Sequence, residues 1–484
     1  MKRKITALLL FAAMAMQLAA CGSGSNDSGT TTPAAQNSDT EPVVTGPTLE
    51  VPQSDFGGKK FTILSTVHAE YEYVAEEMTG DVVSDAVYNR NKQVEDLLNI
   101  SLEIITQPGH WADRDSFNHL VTASVMAQDG AYDLVNGATV CVLPIAADGI
   151  FINAADLEYV NLDNPWWVQG MMDNLAVNGK LYGFIGDASL SLYKDLAVVF
   201  FNKQLAEDYK IENPYELVRS GKWTVDKLNE CITGVSNDLN GDGKLALGDD
   251  LIGLLSEPVA NRAFLTSTKM DVVTFENGTP TIVGLTERTS DIYARLYKLF
   301  VENESQLCGS ENKRTEQSQY FSENKALFMN TLLNVTDYLR NMQSDFGILP
   351  YPKYNEDQEN YYTQIGTSTS MMFVPVTTND AELTSMVCEA MSYYGQKGVV
   401  PAYYEVALKE KYTRDEEVKE MLDIIRSGAQ MDFNFAYSTM FTPFTNCSTE
   451  FRDKNNTPEN LASYFATNVP AWEGTLEDLL EAYQ

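Results

Sequence analysis

The sequence predicts an α/β protein built as two lobes. Short apolar, β-branched runs alternate with helical patterns, and the globular stretch from about Lys59 to Gln484 is too long for one hydrophobic core. The run Lys60–Ser65 reads as the first strand, followed by a polar and aromatic loop with His68, Glu70, Tyr71 and Tyr73. Next comes a helix whose Ala86, Val87, Val94 and Leu97–Leu98 share a face. Ile100–Ile105 is a second strand, Phe117–Met126 a second helix and Tyr132–Val135 a third strand. Such an order predicts parallel pairing beneath covering helices.

The alternation continues with a strand at Leu196–Phe201 and a helix at Val225–Val235. Further helices are expected at Ile292–Val301, Ala381–Tyr394, Glu416–Ile425 and Leu476–Ala482, and strands at Phe346–Leu349 and Met371–Val374. No internal repeat is present. Open α/β sheets bind ligands beyond the carboxyl ends of their strands, so two facing lobes make a cleft.

The N-terminus carries Lys2, Arg3 and Lys4, then an uncharged apolar run to about Ala20, then Cys21. The run is short for a bilayer span and reads as an export signal over 1–21. Residues 22–57 are rich in Gly, Ser, Thr, Pro and Asn and read as a flexible tether. Leu18-Ala19-Ala20-Cys21 resembles the bacterial lipobox, which implies that Cys21 is acylated and that the chain sits on the outer face of the cell membrane as a lipoprotein.

A formal net charge of −34 argues against nucleic acid as a partner, because phosphate contacts need clustered Lys and Arg. It also weighs against an anionic substrate unless a local basic pocket intervenes. The remaining cysteines, Cys141, Cys231, Cys308, Cys388 and Cys447, show no CxxC spacing and read mainly as buried apolar residues, with one disulfide still compatible. His68, His110 and His119 lack metal-ligand spacing. No HExxH, GxSxG, GxxxxGK[ST] or strand-following GxGxxG occurs, so the chain does not read as an enzyme. A pair of carboxylates for glycoside hydrolysis has no sequence signature and stays open as an alternative.

Asp238-Leu-Asn-Gly-Asp-Gly-Lys-Leu-Ala-Leu-Gly-Asp249 places oxygen side chains at loop positions 1, 3 and 5, Gly243 at 6 and a carboxylate at 12. It resembles an EF-hand or dockerin calcium loop, with Asp238, Asn240, Asp242, the Lys244 carbonyl and Asp249 as the implied ligands of a structural Ca2+. Ala246 at position 9 has no side-chain oxygen and Asp replaces the usual Glu at 12, so affinity should be modest; Asp250 is a candidate substitute for Asp249.

Several phrases in order along the chain resemble extracellular solute-binding proteins of sugar importers. They are Gly80–Asn91 (GDVVSDAVYNRN), Asn164-Pro-Trp-Trp167, Gly179-Lys-Leu-Tyr-Gly183, Phe200-Phe-Asn-Lys203, Gly221-Lys-Trp-Thr224 and Phe346–Lys353 (FGILPYPK). The resemblance implies a maltose-binding-protein-like, periplasmic-binding-protein fold of discontinuous lobes, 58–187 with 371–430 and 188–370 with 431–484, joined by hinge crossings. It implies capture of a small solute, in the first instance a mono- or oligosaccharide, by a monomer that hands it to ABC permease subunits. Asp187 falls where relatives place a sugar-contacting acid. Glu70 and Tyr71 after the first strand, Asn136 and Thr139 after the third, Thr367 and Ser368 at the second crossing and Asp432 at the third are further candidates. Trp166 and Trp167 suit either stacking on a sugar or packing a lobe. A surface sensor or adhesin that binds sugar without import remains a further alternative.

Overall fold

Strand β1 (Lys59–Thr66) pairs in parallel with β2 (Ile100–Gln107) and with β3 (Leu134–Ala138), the register running Lys59 opposite Ile100 and Ile63 opposite Leu134. Helix α1 (Val82–Leu98) makes the first crossover. Asp81 starts it by accepting the Ser84 amide at 2.8 Å, and Asn99 stops it in the left-handed region, φ 46°, where a short amide side chain is tolerated. Its buried face, Val87, Val94 and Leu98, joins the core of the first lobe, and α2 (Arg114–Ala127) buries Phe117 and Val121 in the same way. The computed structural model describes residues 47–484 except 249, 277, 311–312, 340–341, 410–415, 441–452, 454 and 484.

The first sheet is completed from far along the chain by β12 (Ser370–Phe373), antiparallel to β3, in the order β12-β3-β1-β2. The second sheet has the order β10-β4-β9-β5-β8, made by β4 (Ala197–Asn202), β5 (Ile252–Ser256), β8 (Gln306–Cys308), β9 (Ala326–Leu332) and β10 (Phe346–Leu349). Strands β5, β8 and β9 run parallel, while β4 and β10 run against their neighbours. Strands β4, β5 and β10 are buried along their whole length and β9 at all but its last residue, which is why apolar residues dominate them without a period-two alternation.

Three segments cross between the lobes side by side. Leu196 bridges Ile365, and β11 (Thr363–Gln364) pairs with β13 (Ala429–Gln430). Discontinuous lobes are therefore present, but the boundaries implied by the resemblance need correction in the C-terminal third. Helix Ala381–Tyr394 packs on α1, as expected for the first lobe, whereas helix Glu416–Ser427 packs on β10 of the second. Arg219 anchors it there through Glu417 at 3.1 Å and Glu420 at 2.7 Å. The short helix Phe433–Ala436, assigned to the second lobe, lies instead against Thr139–Val142 and Met171–Leu175 of the first.

Helix Leu461–Ala482 extends well before the segment read from sequence and carries Pro470 inside it. It packs on the hairpin of β6 (Val273–Glu276) and β7 (Thr279–Ile282). No described helix is long and apolar enough to cross a membrane. Cys141, Cys231 and Cys388 are free thiols, while Cys21 and Cys447 lie outside the described residues.

Candidate functional site

The carboxyl ends of β1, β2 and β3 bring Val67, His68, His110, Trp111 and Thr139 to one edge of the first lobe. His68 and His110 stack with centroids 4.4 Å apart, and His110 Nε2 lies 3.1 Å from Ser368 Oγ. Burial, joined by the neighbouring Lys194 ammonium and His110, holds the His68 ring below its usual pKa; burial does the same to His110. Trp111 is 47% exposed at this edge, and Tyr338, beyond β9 of the second lobe, is 48% exposed. Glu70 is exposed on the turn Val67–Glu72, and the Tyr71 ring lies 3.9 Å beneath Lys194 Nζ.

Several expected contact residues are engaged in hydrogen bonds within the protein, at the crossings or inside the first lobe. Asp187 is 2% exposed; its Oδ1 accepts from Tyr193 Oη at 2.7 Å and from Arg426 Nη2 at 2.7 Å. It serves as an internal counter-ion to Arg426, and its carboxylate is engaged within the protein. Asn136 is buried and donates to Ser65 Oγ and Glu72 Oε2, both at 3.2 Å, and Thr139 donates to the Thr369 carbonyl at 2.8 Å. The Thr367 carbonyl accepts the Val140 amide at 3.2 Å. Trp166 and Trp167 are fully buried, and both indoles donate to Glu389, at 2.9 and 2.8 Å, joined by Asn164 at 2.7 Å. They pack the lobe, and the stacking role falls away for both.

Sequence reasoning missed the charges that organise this interior. Glu72 is buried and accepts from the Ser191 amide at 2.6 Å, from Asn136 and from Ser370 Oγ, tying the first lobe to two crossings. Burial pushes its carboxyl upward against those donors. Arg90 of α1 donates to the Ala188 carbonyl at 3.2 Å and to the Glu72 carbonyl at 2.5 Å. Asp195 in the first crossing is pushed up to about 6 by burial, with Arg314 pulling the other way. No short spacing in the sequence announces these groups; Asp187 and Arg426 are 239 positions apart.

Asp432 does line a cavity, a crevice of about 350 Å³ built from three parts of the chain. Asp173 and Asn174 come from the first lobe, Thr266, Lys269 and Asp271 from the end of helix Ala263–Thr268, and β6 adds Val273, Thr274 and Phe275. The third crossing closes it with Gln430–Asn434. Phe275 and Phe433 meet edge to face at 5.6 Å. Asp432 caps the helix Phe433–Ala436 by accepting the Asn434 amide at 2.8 Å and side-chain nitrogen at 2.9 Å through one oxygen. Burial, then the nearby Asp271 carboxylate, push Asp432 up to about 6 against the pull of Asn434 and Lys269.

In the loop after Val235, Asp238 accepts the amides of Gly241 and Gly243 at 2.7 Å, Asn240 that of Asp242 and Asp242 that of Lys244, both at 2.9 Å. Gly241 and Gly243 take positive φ, 75° and 77°, as the tight loop requires. Each acceptor oxygen keeps a second lone pair, so Asp238, Asn240 and Asp242 retain the donor chemistry that suits calcium. Asp250 does not stand in for Asp249. It is buried, and its two oxygens take the Leu239 and Ala246 amides at 3.0 and 2.9 Å, closing the loop. Asp249 lies outside the described residues, and among the described residues no three His, Cys, Asp or Glu side chains are grouped to hold a metal.

Neither a family model nor a curated protein matches the chain. Solved structures do. A cyclo/maltodextrin-binding protein complexed with maltotetraose superposes with a TM-score of 0.55 at 13% identity over 87% of this chain and 97% of that one. The GacH receptor of Streptomyces glaucescens, solved unliganded and with acarbose, gives 0.51 at 13% identity over 87% and 99%. The maltose-maltodextrin-binding protein of Alicyclobacillus acidocaldarius gives 0.50 at 13% over 85% and 100%. At such identities the likeness shows the fold: a two-lobed, maltose-binding-protein-like α/β architecture.

Proposed function

We propose that the chain captures a small carbohydrate-like solute between its lobes, without transforming it, and passes it to an ABC importer from a lipid anchor on Cys21. The crevice carries the reading. It is walled by both lobes and a crossing, it falls within the usual volume of small-molecule sites, and it pairs carboxylates and amides with two phenylalanine rings. Sugars present hydroxyls that need such acceptors and C–H faces that pack on rings. The solved proteins of this fold described above were crystallised with maltotetraose and acarbose, which supports a saccharide as the first class to test. Rotation of two lobes about hinge crossings is an established way for such proteins to close on a ligand.

A thermal-shift screen over mono- and oligosaccharides, followed by calorimetry on the hits, tests the reading, because a ligand that binds only the folded chain raises its apparent stability. A saccharide that binds with one-to-one stoichiometry is the expected result. Release of reducing sugar from any ligand in the screen would move the protein to the hydrolase alternative, and no binding to any solute would overturn capture.

We also infer a structural Ca2+ in the loop 238–249. Asp238, Asn240, Asp242 and the Lys244 carbonyl would hold it, with Asp249 as the remaining ligand, and the ion would supply cross-linking of the loop and no chemistry.

A further inference from the structure

The polar groups of the crevice wall are unbalanced. Three carboxylates, Asp173, Asp271 and Asp432, face one cation, Lys269. Lys269 is already engaged: its Nζ donates to Gln430 Oε1 at 3.2 Å and lies 4.8 Å from the centre of the Tyr362 ring. Its approach to Asp271, at 3.8 Å, is too long for a hydrogen bond. Both donors that reach Asp432 end on Oδ1, so Oδ2 takes none from a described residue. In the same wall Asn434 Oδ1 and Thr266 Oγ1 are buried without a partner, although their residues are 2% and 4% exposed.

Buried acceptors without donors are costly, and two like charges brought together are costlier still. A neutral polyol would supply hydroxyl donors and leave the repulsion between Asp271 and Asp432 in place. A solute bearing an ammonium group would satisfy the acceptors and cancel the repulsion at once. The described residues offer no three-ligand metal geometry here, so a bare divalent cation fits less well. The strongly acidic chain, at −34, favours the approach of a cation by the same token.

We propose that the crevice selects a solute carrying a protonated amine, of the amino-sugar class, with Asp271 and Asp432 as the groups that hold its ammonium. The proposal rests on the capture reading and refines it. Recognition then divides by chemistry: the carboxylates read the charge, while Phe275 and Phe433 pack on the apolar face of the ring.

Calorimetry of the full chain at pH 7 against glucosamine, glucose and N-acetylglucosamine tests it. Acetylation removes the charge and keeps the ring, so glucosamine should bind about tenfold tighter or more than either neutral sugar, the usual worth of a charge-assisted hydrogen bond. Asp271→Asn, at a half-exposed position outside any helix, should abolish that preference with little loss of folding; Asp432→Asn should do the same, read against its own thermal midpoint because Asp432 also caps a helix. Neutral sugars binding as tightly as glucosamine, or a preference untouched by Asp271→Asn, would overturn the amine assignment and leave sugar capture standing. Absence of binding by every amine and every neutral saccharide would overturn both.

Discussion

Replacing Arg426 by Met distinguishes an internal role for Asp187 from a solute-contacting one. The guanidinium is 17% exposed and the Asp187 side chain 2%, with 2.7 Å between Nη2 and Oδ1. Removing the cation leaves a buried carboxylate with only the Tyr193 hydroxyl among the described residues, and breaking a buried pair from one side costs roughly 3–5 kcal/mol. The residual exposure of Arg426 puts the expectation near the lower figure, about 3 kcal/mol. Asp187→Asn should cost less, about 1–2 kcal/mol, because the amide oxygen still accepts from Tyr193 and Arg426 retains a path to water. The double variant should be less damaged than the sum, with a coupling of about 1–3 kcal/mol. Urea unfolding of the four proteins, followed by tyrosine and tryptophan fluorescence, supplies the cycle. A loss below about 0.5 kcal/mol in Arg426→Met, of the size of a surface pair, would refute the assignment. So would an Asp187→Asn protein of unchanged stability that no longer binds its solute.

Glu389→Ala should destabilise by about 3 kcal/mol or more, since two buried indole N–H groups and Asn164 lose one acceptor together, whereas Glu389→Gln should retain part of that; denaturant midpoints decide. Asp195 sits at about 6 in the fold against an ordinary carboxylate near 3.8, so its contribution is fullest below pH 4 and is lost as pH rises through about 6. Asp195→Asn should therefore be more stable than the parent above pH 6, by up to about 3 kcal/mol, and should show no such gain at pH 4; a constant difference across that window would refute the shift. Chelation should lower the thermal midpoint by only a few degrees, because amide–carboxylate bonds and Asp250 already pin the loop, and Asp238→Ala should remove the response. Cys21→Ser should release the exported chain from the membrane fraction, and retention would refute lipidation.

How far the fold could be read depended on whether burial left a pattern. Lys60–Ser65, Ile100–Ile105 and Phe346–Leu349 were legible as strands because apolar β-branched runs there are bounded by polar turns, and helix Ala381–Tyr394 was recovered to the residue. Strands β5, β8 and β9 escaped: two are short, and Ala326–Leu332 contains Asn330 and Thr331, polar residues whose burial is explained only by partners such as Asn261 and Glu257 far along the chain. The site followed the same rule. Asp432, named through the resemblance, lines the crevice, but Asp271 and Lys269 reach it because helix Ala263–Thr268 ends on a left-handed Lys269, φ 54°, a geometry with no glycine to signal it. The tryptophan pair stayed open between stacking and packing because the buried Glu389 that supplies acceptors to both indoles lies on a helix more than 200 positions away.

The buried charges also fix where any closing motion must bend. On the first crossing Ser191 is held to the first lobe by Glu72, while Asp195 is held to the second by Asn334 at 3.2 Å and to Gly366 through its carbonyl at 2.9 Å. On the second crossing the carbonyls of Thr367 and Thr369 are bonded to Val140 and Thr139 of the first lobe, so the change of lobe falls at Gly366, whose amide donates to the Asp195 carbonyl and whose own carbonyl accepts the Thr369 amide at 3.0 Å. A side chain at Gly366 would place Cβ 3.0 Å from Asp195 Cβ and 3.2 Å from its carbonyl, tighter than packing ordinarily allows. Gly366→Ala should therefore cost about 1–3 kcal/mol as overpacking, and should also stiffen the link at which the lobes turn. Small-angle scattering with and without a bound solute reads the second effect: the parent should contract on binding and the variant should contract less. Equal contraction in both would place the hinge elsewhere and would mean that the Glu72 and Asp195 anchors move with the lobes they join.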